Sequence, residues 1–149
     1  MEEKEFAAYY DRIHRALHIF HRRIAKDIAA EVETCLTTPQ FIFMSLLAER
    51  GHTVGELAEF GGVKPSAVTA MVDRMVRYDM VIRERDPNDR RVVILHLSKK
   101  GEASFYHAKQ RRMDIASRYF SHLTSSERTA FLQVYEKLAA ITDTETYLE

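Results

Sequence analysis

Cysteine occurs once, at position 35, so no disulfide can close within the chain and a reducing compartment is expected. Glycine and proline are scarce, at 5 and 3 residues, which argues against a turn-rich β protein and favours helices. No apolar run approaches the ~20 residues of a membrane span. The first residues, Met1-Glu2-Glu3-Lys4-Glu5, are charged, unlike a signal peptide. A cytoplasmic chain with no membrane partner is therefore expected. Repeats and low-complexity stretches are missing as well. What remains is 149 residues, 46% hydrophobic and 30% charged, which fits one globular domain and leaves little room for a second.

Net charge is also absent, with 22 basic and 22 acidic residues, and taken alone that argues mildly against nucleic acid. The distribution reverses the inference. Residues 60–112 hold 12 Lys/Arg against 6 Asp/Glu, whereas residues 1–59 hold 7 against 10 and residues 113–149 hold 3 against 6. A basic centre lies between two acidic flanks. A solvated surface also produces such a bias, so charge alone does not decide the matter.

Periodicity supplies the elements. Phe6, Tyr10, Ile13, Leu17, Phe20, Ile24, Ile28 and Val32 recur at steps of three or four and predict one apolar face on a first helix ~40 Å long. That is longer than a compact monomer of this size needs, and a partner could cover the rest of the stripe. Thr38 as N-cap and Pro39 as first helical residue predict a second helix ending near Arg50-Gly51. Thr53-Val54-Gly55-Glu56 is a capping box for a short third helix stopped by Gly61-Gly62, and Pro65 opens a fourth. Val68, Met71, Val72, Met75 and Val76 form its buried face. Val81 to Arg85 and Arg91 to Leu97, with Val93, Leu95 and Leu97 on one side, predict a β-hairpin around the turn Asp86-Pro87-Asn88-Asp89. Ser98 caps a fifth helix with a stripe of Met113, Ala116, Phe120 and Leu123. Thr124-Ser125-Ser126-Glu127 caps a sixth, which packs Phe131, Val134, Leu138 and Ile141. The fold class is mainly α with a small β-hairpin wing, a winged helix-turn-helix between terminal helices.

The fourth helix turns Ser66, Thr69, Ala70, Asp73, Arg74 and Arg77 outward. Its leading part is small and polar, which suits entry into a major groove ~12 Å wide. An ordinary amphipathic helix has a solvated face too. The hairpin is the stronger signal, because Arg83, Arg85, Arg90 and Arg91 gather at a tip with the shape and charge for a minor groove. Asp89 stands two residues before Arg91 and is expected to hold its guanidinium. Exposed ion pairs alone would also account for these charges.

The stretches Gly62-Val63-Lys64-Pro65-Ser66-Ala67-Val68-Thr69-Ala70-Met71-Val72-Asp73-Arg74-Met75, Arg85-Asp86-Pro87-Asn88-Asp89-Arg90-Arg91 and Leu95-His96-Leu97-Ser98-Lys99-Lys100-Gly101 resemble the MarR family of bacterial regulators. Helix order and length agree over essentially the whole chain. The resemblance implies a homodimer built from residues 1–36 and 99–149, with residues 37–98 as the DNA-binding region, and a repressor on a palindromic operator of duplex DNA. It implies DNA contacts from Lys64, Ser66, Ala67, Thr69, Ala70, Arg74, Arg77, Arg85, Asp89, Arg90 and Arg91. It also implies a small aromatic or phenolic effector, for which Tyr10, His14, His18 and Phe43 are candidate contacts; a plain hydrophobic core explains the same residues.

Rival readings have less in their favour. His14, His18 and His21 at i, i+4 and i+7 could place two imidazoles on one metal, but no carboxylate or cysteine completes the set, and neither a metal nor a cofactor is expected. Some relatives sense zinc with ligands from the first linker and the second and fifth helices. Cys35 and His107 lie in suitable regions, but the second helix has no histidine. Others sense peroxide through a cysteine early in the first helix, whereas Cys35 is at the end of that helix, and a lone cysteine is more often a small buried hydrophobe. No phosphate-binding glycine loop or nucleophile motif indicates an enzyme. A calcium loop starting at Asp86 would need Gly where Arg91 stands and Glu where Leu97 stands. A winged helix used only for protein contacts would not need four arginines in its wing.

Overall fold

The structure, a computed structural model, describes residues 3–31 and 36–145, with side chains over 4–31 and 36–141. Val32 and Cys35, singled out above, lie outside the described residues. Among the described residues six helices and one hairpin follow in the expected order: α1 (Glu3–Glu31), α2 (Thr38–Glu49), α3 (Val54–Gly61), α4 (Pro65–Arg77), β1 (Val81–Arg85), β2 (Val93–Leu97), α5 (Lys99–Phe120) and α6 (Ser125–Glu145). The chain divides into two compact units, Ala29–Arg111 and Met1–Ile28 with Arg112–Glu149. The division falls within α5, so residues 99–111 belong with the winged unit.

In the winged unit α2, α3, α4, both strands and the start of α5 share one core. Met44, Leu57, Val68, Val72, Met75, Val81 and Leu95 are essentially fully buried, and Phe43, Leu47, Leu97 and Phe105 nearly so. Burying each large apolar side chain is worth roughly 1.5–3 kcal/mol, so this cluster supplies the main stabilisation of the unit. Helix starts are set by side-chain caps. The N-cap of α2 is Thr37, not Thr38: its hydroxyl accepts from the Gln40 N–H at 3.4 Å while the Gln40 side chain accepts from the Thr37 N–H at 2.8 Å. Gln40 decides the position, since the reciprocal bond needs Gln or Glu three residues after the cap. At α3 the Thr53 N–H donates to Glu56 at 2.7 Å, and this bond, with the Arg50 guanidinium, holds the Glu56 carboxyl below its ordinary value. Gly62 closes α3 in the left-handed region, at φ 57°.

The strands pair antiparallel with Val81 opposite Leu97 and Arg83 opposite Leu95. β2 begins at Val93 rather than Arg91, because the turn continues through Arg91. Leu95 and Leu97 are buried, whereas Val93, expected on the same inner side, is 39% exposed near the tip. On the other side of β2, His52 exchanges both backbone hydrogen bonds with Leu95, at 3.1 and 2.8 Å. Gly51 permits that approach, since a Cβ there would stand 2.3 Å from the His96 ring.

In the terminal unit α1 lies against the end of α5 and α6 through rings. Phe20 meets Tyr119 and Phe120 edge-on, with centroids at 6.0 and 6.4 Å, and Phe120 meets Phe131 at 5.5 Å. The Tyr119 hydroxyl donates to Asp27, and Arg23 Nε lies 3.3 Å from Asp27 and 3.3 Å from the Tyr119 oxygen. The Tyr119 bond, then the Arg23 charge, holds the Asp27 carboxyl low. The expected α5 stripe needs one correction. Met113 is exposed and Ile115 is buried in its place, because two positions on a helix point ~200° apart. Along α1, Leu17, Phe20, Ile24 and Ile28 are half-buried, but Phe6, Tyr10 and Ile13 are exposed. Val134, Leu138 and Ile141 of α6 are also exposed in the single chain.

Candidate nucleic-acid interface

α4 is amphipathic in the sense the sequence predicts. Val68, Val72 and Met75 face the core, and Ser66, Ala67, Thr69, Ala70, Asp73, Arg74 and Arg77 are exposed. Lys64 is its N-cap, is exposed, and makes no side-chain capping hydrogen bond. The Thr69 hydroxyl donates to the Pro65 carbonyl at 3.0 Å. What Thr69 presents outward is therefore an acceptor lone pair and a methyl group rather than a hydrogen-bond donor.

The wing is braced from within. Asp86 accepts the backbone N–H groups of Asn88 at 2.6 Å and Asp89 at 3.1 Å. The Arg91 N–H donates to the Asp89 side chain at 3.0 Å, the Val92 N–H to the Asp89 carbonyl at 2.9 Å, and the Asp86 N–H to the Val92 carbonyl at 3.0 Å. Asp89 thus holds the backbone of Arg91, not its guanidinium. A short aspartate reaches the N–H two residues on more readily than it reaches the far end of an arginine. Arg85 Nη1 donates to the Arg90 carbonyl at 3.1 Å, tying the end of β1 to the tip. Arg90 and Arg91 are exposed on a turn braced by these bonds.

Arg83 does not belong to the tip. It sits in the middle of β1, and its Nη2 lies 2.5 Å from Asp73 Oδ1 of α4. Sequence spacing could not reveal this pair, because the two residues are ten apart on different elements and meet only when the turn between α4 and β1 folds. That turn is itself specific. The Met80 N–H donates to the Met75 carbonyl and the Asp79 N–H to the Val76 carbonyl, with Asp79 left-handed at φ 58°. This is the 6→1, 5→2 pattern in which glycine is usual. Ser98 then donates its hydroxyl to the Asp79 carbonyl at 2.5 Å and accepts the Gly101 N–H at 2.9 Å, and Lys100 Nζ donates to the Tyr78 carbonyl at 2.9 Å. The end of α4, the base of the wing and the start of α5 are joined at this point.

The remaining candidates are placed differently. Phe43 is a core residue of the winged unit. Tyr10, His14 and His18 are exposed on α1 in the terminal unit, with Tyr10 and His14 stacked at 5.9 Å between ring centres. The terminal unit also has an apolar hollow of about 450 Å³ lined by Leu17, Phe20, Phe120 and Phe131 among others. No helix among the described residues is long and apolar enough to cross a membrane.

A family model described as MarR family matches residues 36–93, from just before α2 to the first residue of β2. The HTH-type transcriptional repressor MdtR of Bacillus subtilis is 33% identical over 135 residues, covering 89% of this chain and 87% of that one. A MarR family protein from Bacillus stearothermophilus has the same fold at a TM-score of 0.81, with 25% identity over 96% of this chain and 99% of the other. A MepR-like protein complexed with pseudoligands matches at a TM-score of 0.62 and 36% identity, over 89% and 94% of the two chains.

Proposed function

Because this chain belongs to the MarR family of DNA-binding transcription regulators, we propose that it acts as a homodimeric repressor on a palindromic operator and is released by a small aromatic or phenolic effector. Each α4 occupies the major groove of one half-site, with Ser66, Ala67, Thr69 and Ala70 toward the base edges and Lys64, Arg74 and Arg77 toward phosphates. Each wing sends Arg90 and Arg91 to the flanking minor groove, with Arg85 and Asp89 holding the turn.

The observation that carries this reading is the pairing of an exposed α4 face whose leading residues are small with an adjacent wing whose two tip arginines are exposed. Dimerisation through residues 1–36 and 99–149 rests on the apolar faces that α1 and α6 leave uncovered in the single chain. The effector rests on the MepR-like relative, which was obtained with pseudoligands. Tyr10, His14 and His18, exposed together on α1, stand as the proposed contacts, whereas Phe43 is taken up by the core of the winged unit. With duplex DNA as its partner, the protein would act in the cytoplasm.

Selection of bound fragments from random duplex DNA is the deciding experiment. An inverted repeat with half-sites one helical turn apart is expected, bound by a species of twice the 17.3 kDa chain mass in sedimentation. Failure of any sequence to enrich over the starting pool would overturn the reading. Addition of salicylate and related aromatic acids to the complex then tests the effector.

A further inference from the structure

Asp73 is the sole carboxylate in α4 and stands on the face that also carries Ser66, Thr69 and Ala70. In a groove walled by phosphates an uncompensated carboxylate is repelled. Here it is compensated by Arg83 of β1, 2.5 Å away. The Asp73 and Arg83 side chains are 50% and 39% exposed, so water and DNA can reach both. An ion pair so exposed adds little to folding stability, which leaves its presence on the reading face to be explained otherwise.

The geometry points to the Asp73–Arg83 pair as a specificity filter, in which Asp73 withholds the Arg83 guanidinium from phosphates and Arg83 in turn masks the Asp73 carboxylate. The inference rests on the reading that α4 enters the groove. Binding to random DNA is almost wholly phosphate neutralisation, so each unoccupied arginine near the interface strengthens it. In the operator complex the register of α4 is set by base contacts, and a mid-strand arginine gains a phosphate only if one lies within reach. An arginine tied to Asp73 therefore lowers affinity for random DNA more than affinity for the operator. It does so while keeping the interface free of a bare carboxylate.

The two single substitutions should act in opposite directions. Asp73→Asn keeps the side-chain shape but removes the charge, so Arg83 is held by no more than a neutral hydrogen bond and is released to phosphates. Binding to scrambled duplex should tighten roughly two- to fivefold, with the salt slope rising by about one unit, while operator affinity changes less. Arg83→Gln exposes the carboxylate and should weaken binding to both DNAs. The double variant Asp73→Asn/Arg83→Gln should return operator affinity close to that of the unsubstituted protein. Circular dichroism checks folding, and should Arg83→Gln fail to fold, the salt slope of Asp73→Asn still decides. An unchanged slope and affinity of Asp73→Asn on scrambled DNA overturns the filter, as does failure of Asp73→Asn to rescue Arg83→Gln. Arg91→Ala separates the two levels. If the unsubstituted protein binds and Arg91→Ala weakens it, a silent Asp73→Asn removes the filter alone. If the unsubstituted protein binds no duplex, the DNA reading fails and the filter with it.

Discussion

The Met80 carbonyl occupies the space where a side chain on Gly101 would begin: a Cβ built on Gly101 stands 1.9 Å from that oxygen and 2.8 Å from its carbon. The first turn of α5 is thus seated directly on the backbone that links α4 and the wing. Ser98 closes the contact from the other side, through its bonds to Asp79 and Gly101.

Gly101→Ala should therefore destabilise the protein, although glycine to alanine in a helix ordinarily gains up to ~1 kcal/mol. The neighbour is backbone and cannot swing aside, so the local shift is expected to cost about 1–3 kcal/mol beyond that gain. Urea unfolding of the pair of proteins gives the difference directly. A more stable alanine variant would show that the junction is loose.

Asp79 presents the opposite case. Its left-handed φ of 58° is costly for a residue with a Cβ, and its carbonyl rather than its side chain is what Ser98 uses. Asp79→Gly should raise stability by about 0.5–1 kcal/mol, read as a higher denaturation midpoint with an unchanged slope. Operator affinity should be unaltered, because the wing base keeps its geometry.

The wing predictions turn on what Asp89 binds. Because Oδ1 accepts the Arg91 backbone N–H, Asp89→Asn retains an acceptor of the same shape and should leave operator affinity within about twofold. Asp89→Ala loses the acceptor, loosens the tip and should weaken binding by about fivefold or more, at roughly 1 kcal/mol per hydrogen bond. If charge on the Arg91 guanidinium were the point, Asn and Ala would be equally damaging. Arg91→Ala should weaken binding to operator and scrambled DNA together and lower the salt slope by about one unit, with the fold intact.

Acid should destabilise the protein through Asp27 and Glu56, both held below their ordinary values when folded. A carboxylate depressed in the folded state binds fewer protons than its unfolded counterpart. Its stabilisation is therefore complete above the ordinary carboxylate range near pH ~4 and is lost as pH falls through the lower folded value. The melting temperature should be level from pH 7 to about 5 and then fall. Asp27→Asn keeps an acceptor for the Tyr119 hydroxyl, removes one titrating group and should make that fall shallower. An identical pH profile would show that the Asp27–Tyr119–Arg23 cluster is not coupled to folding.

Local signals in the chain were enough for the element order, because each boundary is written in chemistry that acts within four residues. Thr53 with Glu56 and Thr124 with Glu127 are reciprocal caps, and Gly62 is the left-handed stop. The outward face of α4 follows from helical period alone. The same local chemistry placed the start of α2 one residue late, because a Thr-Thr pair offers two caps and only the reach of Gln40 chooses between them.

Tertiary contact decided the rest. The sequence by itself determined that a basic hairpin follows a helix with a small polar face. Which arginines serve the tip was settled by the turn between α4 and β1, which brings Arg83 to Asp73 and leaves Arg90 and Arg91 exposed. Whether Asp89 holds a guanidinium or a backbone N–H depended on the path of the turn through Arg91. Ile115 rather than Met113 faces inward because the orientation of α5 about its axis is set by what packs against it. Spacing along the chain specifies a helix and its faces; partners ten to ninety residues away choose which face and which charge are used, since ion pairs and packing act through space and not along the backbone.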